Sequence, residues 1–396
     1  MTPRRDQTTS FIRDATVREL VERGHALLTM ESVAQRSYSS VGSVYARHPN
    51  RSHLLLDVLD STVLPSVRGL LDHGPGSLDT VLRRIFTDTT LATNLHALVE
   101  ISLASRLDPA LRGGSTEGIM LLHDSFQIDG PDAELVEGIR WQLTAAVLGY
   151  FVMTGAGCSV PPLWADLTGL VELMLHDDPR TERARNPAPT ELNVEMPAAP
   201  PERSRDGISE ELTEQAALAL AESGLVGARL RDIARRAGVT TGAVYRRYGS
   251  KNELVHDVLV RELNNDKYGW TRGFLESLVQ DPSCLLAARS LAQAVKKVID
   301  DPLRLLAGIE LTQAARADET VRQTISTQVH VAAHARTRMM EELVVAGIAR
   351  GDVSPHLVGW LMQITPAGDR VLAMMGMGID ETLLTRTLQA YLRAVA

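Results

Sequence analysis

The sequence predicts an all-α fold made of two tandem halves. Three observations predict it. Apolar residues recur at helical spacing along the chain, without sustained period-two alternation. A short helix, a tight turn and a second short helix occur around residue 238 and again 200 positions earlier, around residue 38. Two apolar late helices close each half, at about 132–155 and 161–176, and at about 355–377 and 380–395.

Taken in order, Met1 to Ser10 carries Arg4 and Arg5 but no apolar run, so no signal peptide is expected. Leu20, Glu22, Gly24, Ala34, Arg36, Gly42, Val44, Tyr45 and Arg47 are repeated without a gap as Leu220, Glu222, Gly224, Ala234, Arg236, Gly242, Val244, Tyr245 and Arg247. Residues 1–60 therefore read as a first helix-turn-helix domain. It departs from the second copy at Tyr38, Glu31 and His48, which stand where Gly238, Arg231 and Tyr248 stand later. A non-glycine residue in the left-handed region costs about 1–2 kcal/mol, so a strained or remodelled turn is expected at Tyr38. Residues 61–178 read as a first helical body, punctuated by Gly74-Pro75-Gly76, Gly113-Gly114 and Gly130-Pro131. The uncharged stretch 141–165 is apolar without interruption only from about 143 to 153, which suits a buried helix rather than a membrane span. Residues 179–205, rich in proline and charge, read as a semi-extended linker.

Residues 206–262 form the second helix-turn-helix domain. Leu230, Ile233, Ala234 and Ala237 mark one helical stripe. Gly238 stops that helix, because glycine enters the left-handed region cheaply. Thr240 and Thr241 are good N-caps for the next helix, which carries Val244 and Tyr248 on one side. Ser250 caps a third helix, with Glu253 placed for a capping box. Residues 225–251 hold seven cations and one acid, a net +6 on a chain of formal charge −8, whereas 25–51 is only +2. A basic island on an acidic protein is the footprint of a nucleic-acid contact. Residues 263–396 read as a second helical body. Its late helices match the first at an offset of 221 (Gly138 with Gly359, Gln142 with Gln363, Thr144 with Thr365), so the second half is about 21 residues longer, with most of the gain expected in 318–350.

The run Leu230-Arg231-Asp232-Ile233-Ala234, then Ala237-Gly238-Val239-Thr240, Val244-Tyr245-Arg246-Arg247-Tyr248 and Ser250-Lys251-Asn252-Glu253-Leu254 resembles the TetR family of one-component transcriptional regulators. The stretch Arg47-His48-Pro49-Asn50-Arg51 is similar to the same family's ending of this motif. The resemblance implies Thr241, Gly242 and Tyr245 near base edges, with Arg231 also in reach, and Thr240, Arg246 and Lys251 on phosphate. It places Ser40, Gly42, Tyr45, Arg47 and Arg51 as the first copy's DNA contacts. Tyr248 is expected in the core. The family's homodimer, joined by the last two helices of each subunit, implies an intramolecular pseudo-dimer here. Its operator is expected to be asymmetric or imperfectly palindromic, read by two unlike motifs of which the first is degenerate.

The resemblance also implies a helical body that binds a small hydrophobic effector and then releases DNA. Trp270, Phe274, His330, His334, Met339, Trp360 and Met362 are the candidate lining residues, since methionine and aromatic side chains suit bulky apolar ligands. His330 and His334 have metal-capable spacing but no third ligand, so neither a metal nor a cofactor is expected. No P-loop or nucleophile elbow is present, and Gly155-Ala156-Gly157 ends a helix rather than following a strand, so an enzyme is not expected. Cys158 and Cys284 read as reduced thiols of a cytoplasmic protein. The other reading is a relative that has lost DNA binding and antagonises a related regulator.

Overall fold

The computed structural model describes residues 3–71, 77–176, 206–265, 277–278, 280–281, 283–378 and 380–395. The linker expected at 179–205 lies outside the described residues. Among the described residues the regular structure is helical throughout. The first half contains α1 (Pro3–Arg23), α2 (Met30–Arg36), α3 (Val41–Tyr45), α4 (Arg51–Val58), α5 (Leu64–Arg68), α6 (Leu78–Thr87), α7 (Thr89–Ala104), α8 (Arg112–Ser125), α9 (Ala133–Gly155) and α10 (Trp164–His176). The second contains α11 (Gly207–Gly227), α12 (Leu230–Arg236), α13 (Thr241–Arg247), α14 (Lys251–Asn265), α15 (Leu285–Ile299), α16 (Pro302–Ala317), α17 (Glu319–Val345), α18 (Pro355–Met374) and α19 (Glu381–Val395).

The halves meet along their late helices. α9 packs on α18 and also touches α19, and α10 packs on α19. Small residues bring α9 and α18 into backbone contact. A Cβ at Gly149 would overlap the Ile364 carbonyl, and one at Gly368 would overlap the Ala145 carbonyl. Leu143, Val147 and Phe151 on α9 and Leu357, Leu361, Ile364 and Leu372 on α18 are all buried. Burial of such side chains, at about 25 cal/mol per Å² of apolar surface, is the main force holding the halves together.

A second contact joins each helix-turn-helix unit to the opposite half. Glu100 on α7 accepts from the backbone N–H of His25 at 2.8 Å, just beyond the end of α1. Arg316 of the second half donates to that same carboxylate at 2.7 Å, to the Val21 carbonyl at 2.7 Å and to His96 Nε2 at 2.8 Å. The arrangement recurs with the halves exchanged. Glu310 on α16 accepts from Leu225 N–H at 2.6 Å, and Arg106 of the first half bonds Glu310 and the Ala221 carbonyl, the latter at 2.6 Å. Both ion pairs are almost fully buried. Gly24 and Gly224 make the chain turn here with φ of 77° and 71°. Added Cβ atoms would meet Arg316 at Gly24 and Leu107 at Gly224.

These pairs reveal a correspondence that sequence reading missed. Glu100, Arg106 and Asp108 recur 210 positions later as Glu310, Arg316 and Asp318. The offset thus grows from 200 to 210 before α16, and from 210 to 221 after it. The expectation that most of the extra length lies in 318–350 is corrected: about half precedes α16, and the rest accompanies α17, which is 27 residues against 14 for α8.

Burial alone would raise the Glu100 carboxyl, but Arg316 and the His25 hydrogen bond outweigh it and hold it well below the usual carboxylate range. Burial, then the Arg316 charge, pushes His96 down to about 4. Removing one partner of a buried pair strands the other, so Arg316→Ala should lower unfolding free energy by about 3–5 kcal/mol in urea titration. His96 is neutral in the folded state, whereas the unfolded chain gains a proton on it below about pH 6.5. Its contribution is therefore present above that pH and lost as pH falls toward 4. The slope approaches about 1.4 kcal/mol per pH unit, and His96→Gln should remove that component of the pH dependence.

Candidate nucleic-acid interface and effector cavity

The second helix-turn-helix unit is assembled by capping and by one glycine. Gly238 has φ 67°, and the Val239 N–H returns to the Ala234 carbonyl at 2.9 Å, closing α12. Thr240 Oγ1 accepts from Ala243 N–H at 3.2 Å and opens α13. Ile233, Ala234, Val244 and Tyr248 face inward, and Tyr248 Oη donates to Asp257 at 2.7 Å. Facing outward, Arg231, Thr240, Gly242, Tyr245 and Arg246 are exposed and Thr241 is half-buried. Six of the seven expected contact residues of this copy are thus at least partly accessible to solvent.

Lys251 is the seventh, and it turns inward. Its Nζ donates to the Leu225 carbonyl, and burial lowers its pKa. The local charge is also smaller than the count over 225–251. Arg236 pairs with Glu222 at 2.6 Å and Arg247 with Asp206 at 2.7 Å, both acids lying outside that stretch, and Arg235 pairs with Asp232 at 3.2 Å. Among the described residues, Arg229, Arg231 and Arg246 are the exposed arginines of this unit without an ion pair.

The first unit keeps the same frame. Ser39 N–H returns to the Ala34 carbonyl at 2.9 Å, and Ser40 Oγ caps Ser43 N–H at 3.1 Å. Tyr38 takes the position of Gly238 with φ 52°, so the turn is strained but not remodelled, and its side chain stands 99% exposed. Ser40, Gly42 and Tyr45 share the exposed face. The cations do not join them. Arg47 folds back on the Ser43 carbonyl and hydroxyl at 2.9 and 2.7 Å, and Arg51 donates to the His25 carbonyl as Lys251 does to Leu225. Arg36 is held by Glu19 and Glu22.

A cavity of about 930 Å³ lies between the halves. Leu143, Met153, Leu170 and Met174 line it from one side, and Leu259, Leu291, Ile325 and Leu361 from the other. Of the expected ligand-contacting residues, Met362 lines it. The other described candidates stand elsewhere. Met339 and Trp360 are buried in the core, and His334 is exposed. His330 meets Trp360 edge-on at 5.3 Å and bonds the Ser326 and Ser159 carbonyls at 2.7 and 3.1 Å. Trp270 and Phe274 lie outside the described residues. Sequence reading passed over Asp369 and Tyr391, which both line the cavity. The available signal was the adjacent Asp369 and Arg370 inside the mostly apolar α18.

Among the described residues, no group of three His, Cys, Asp or Glu side chains is placed to hold a metal, and no helix is long and apolar enough to cross a membrane. Cys158 and Cys284 are buried and unbridged.

Residues 212–258 match the family model described as bacterial regulatory proteins, tetR family. That span covers most of α11, all of α12 and α13, and the first half of α14. No curated protein matches the chain.

Tyr38 provides a direct test of the turn geometry. Tyr38→Gly should raise unfolding free energy by about 1 kcal/mol in urea titration, because it relieves a left-handed non-glycine residue whose side chain packs on nothing.

Proposed function

We propose that this chain, with a tetR-family match over its second helix-turn-helix unit, is a DNA-binding transcriptional regulator that supplies two unlike readers from one polypeptide. The observation that carries the reading is the exposure of Thr240, Gly242, Tyr245 and Arg246 on α13 and its approach, with Thr241 half-buried among them and Arg231 exposed on α12. An α-helix fits the B-DNA major groove, and phosphate contacts set register while base contacts specify. Thr241, Gly242 and Tyr245 meet base edges, Arg231 reaches a base or phosphate, and Arg246 grips phosphate. Thr240 keeps its hydroxyl proton for a phosphate oxygen while its Oγ1 caps the helix. Lys251 and Arg51 act instead by anchoring the turns after α11 and α1.

In this reading the chain arose by tandem duplication, and α9, α10, α18 and α19 do within it what a subunit interface does in a homodimer. The crossing at Gly149 and Gly368 and the reciprocal Glu100–Arg316 and Glu310–Arg106 pairs support it. The first unit presents Ser40, Gly42 and Tyr45 with its cations folded back, so it contributes the weaker half-site. The operator is then asymmetric, and its occupation represses a promoter in the cytoplasm until an apolar effector enters the cavity and shifts the population away from the DNA-competent state. The exposed Arg229, Arg231 and Arg246 favour this over an antagonist that has lost DNA binding.

Footprinting the purified full chain on genomic fragments tests the reading. An asymmetric site with half-sites about one helical turn apart, roughly 34–36 Å, is expected. Tyr245→Ala should weaken the specific complex by about 1–3 kcal/mol, the range of one lost base contact. Arg246→Ala should weaken all sequences alike and reduce the salt slope by about one. A perfectly palindromic footprint, or unchanged affinity in both variants, contradicts it.

A further inference from the structure

Charge is unevenly spread over the walls of the cavity between the halves. Among the described residues, α9, α10 and α19 contribute no charged side chain to it, and α10 lines it with Leu167, Leu170, Val171 and Met174. The charge comes from α14 to α18, where cations predominate: Lys297, Arg304, Arg336 and Arg370 against Glu262 and Asp369. Burial pushes the Asp369 carboxyl up to about 7 despite the Arg370 charge, so near neutral pH it offsets the cations incompletely. Two of the cations converge on α16. Arg370 lies over Gly308, where an added Cβ would meet its guanidinium carbon at 3.6 Å, and Arg304 stands one turn earlier on the same face of that helix. Lys297 is exposed at the rim, near the end of α15. Arg304 pairs with Asp301 at 3.5 Å, both side chains being partly exposed, and such pairs contribute little. Arg336 and Arg370 have partners of their own. A guanidinium carries five N–H donors in a fork, so one partner leaves donors for a second acceptor.

We propose that this cavity binds one amphiphilic anion per chain, its apolar body along α9, α10 and α19 and its acidic head group beside Arg304 and Arg370. The inference deepens the regulator reading and rests on it only for the ligand's role as effector, to which it gives a charge and a stoichiometry. A volume of about 930 Å³ falls within the range of small-molecule sites, about 300–1,000 Å³. One site per chain follows from the walls, since Leu143, Leu170 and Met174 come from the first half and Leu259, Arg304 and Arg370 from the second. Neither half encloses the space alone. Carboxylate and phosphate heads share the chemistry that guanidinium forks recognise. Their charge-assisted hydrogen bonds are about twice as strong as neutral ones, and an ammonium head accepts none.

Decanoate, decanol and decylamine share one alkyl tail and differ in head charge, so they provide the test. Equilibrium dialysis of the full chain without DNA, below the micellar limit of each, should show decanoate binding at one per chain and at least about tenfold more tightly than either of the others. Arg304→Gln and Arg370→Gln should each weaken decanoate by about tenfold while leaving decanol within about twofold, which shows that the cavity still takes the tail. Decanol or decylamine binding as tightly as decanoate, two equivalent sites per chain, or decanoate affinity unmoved in both variants overturns the proposal. Should a variant lose decanol as well, its cavity has closed, and the ranking of the three probes on the parent chain decides alone. Because the dialysis is free of DNA, its failure is distinct from failure of the regulator reading. A protein that takes decanoate but footprints nowhere loses only the latter.

Discussion

Two buried guanidinium–carboxylate contacts, each crossing from one half of the chain to the other, constrain this molecule most. Glu100 and Glu310 each hold the turn that ends the first helix of their own helix-turn-helix unit, and each is held in turn by an arginine from the opposite half. A carboxylate and a guanidinium removed from water are stable only when paired and hydrogen-bonded. The end of α1 is thereby fixed relative to α16, and the end of α11 relative to α7. Any motion between the halves at α9 and α18 is felt at these turns, because the crossing arginines have no solvent to retreat into.

The sequence made much of this architecture legible, for identifiable reasons. Helix ends announce themselves through local chemistry, so Gly238, Thr240 and Ser250 mark their caps and turns without any tertiary information. Tyr248 was readable as core from the resemblance of its motif to the family's, with its spacing placing it on one side of its helix with Val244. The contacts that depend on three-dimensional neighbours were not readable. The net charge over 225–251 overstated the exposed charge because Glu222 and Asp206, outside that stretch, neutralise Arg236 and Arg247. Lys251 and Arg51 look like phosphate ligands by position, yet each spends its charge on a backbone carbonyl.

The ligand-lining residues were the least legible part. Large apolar and aromatic side chains suggest pockets and cores equally, and Met339 and Trp360 belong to the core. The cavity draws its walls from helices more than a hundred residues apart, so no local pattern outlines it. The adjacent Asp369 and Arg370 were the more informative residues, because charged groups inside a mostly apolar helix must either find partners or open onto a space.

The glycines at the α9–α18 crossing do not correspond. At the offset of 221, Gly149 stands opposite Arg370, Gly368 opposite Val147, and Asp369 opposite Leu148. Were the two sides copies of a single gene product, any substitution at this seam would land twice, and a bulky change would collide with its own image. Here each position mutates once, so one strand of the seam can become narrow while the other acquires a charge. A covalently joined pair can thus hollow out a lopsided chamber at its centre, a shape closed to an assembly of identical parts.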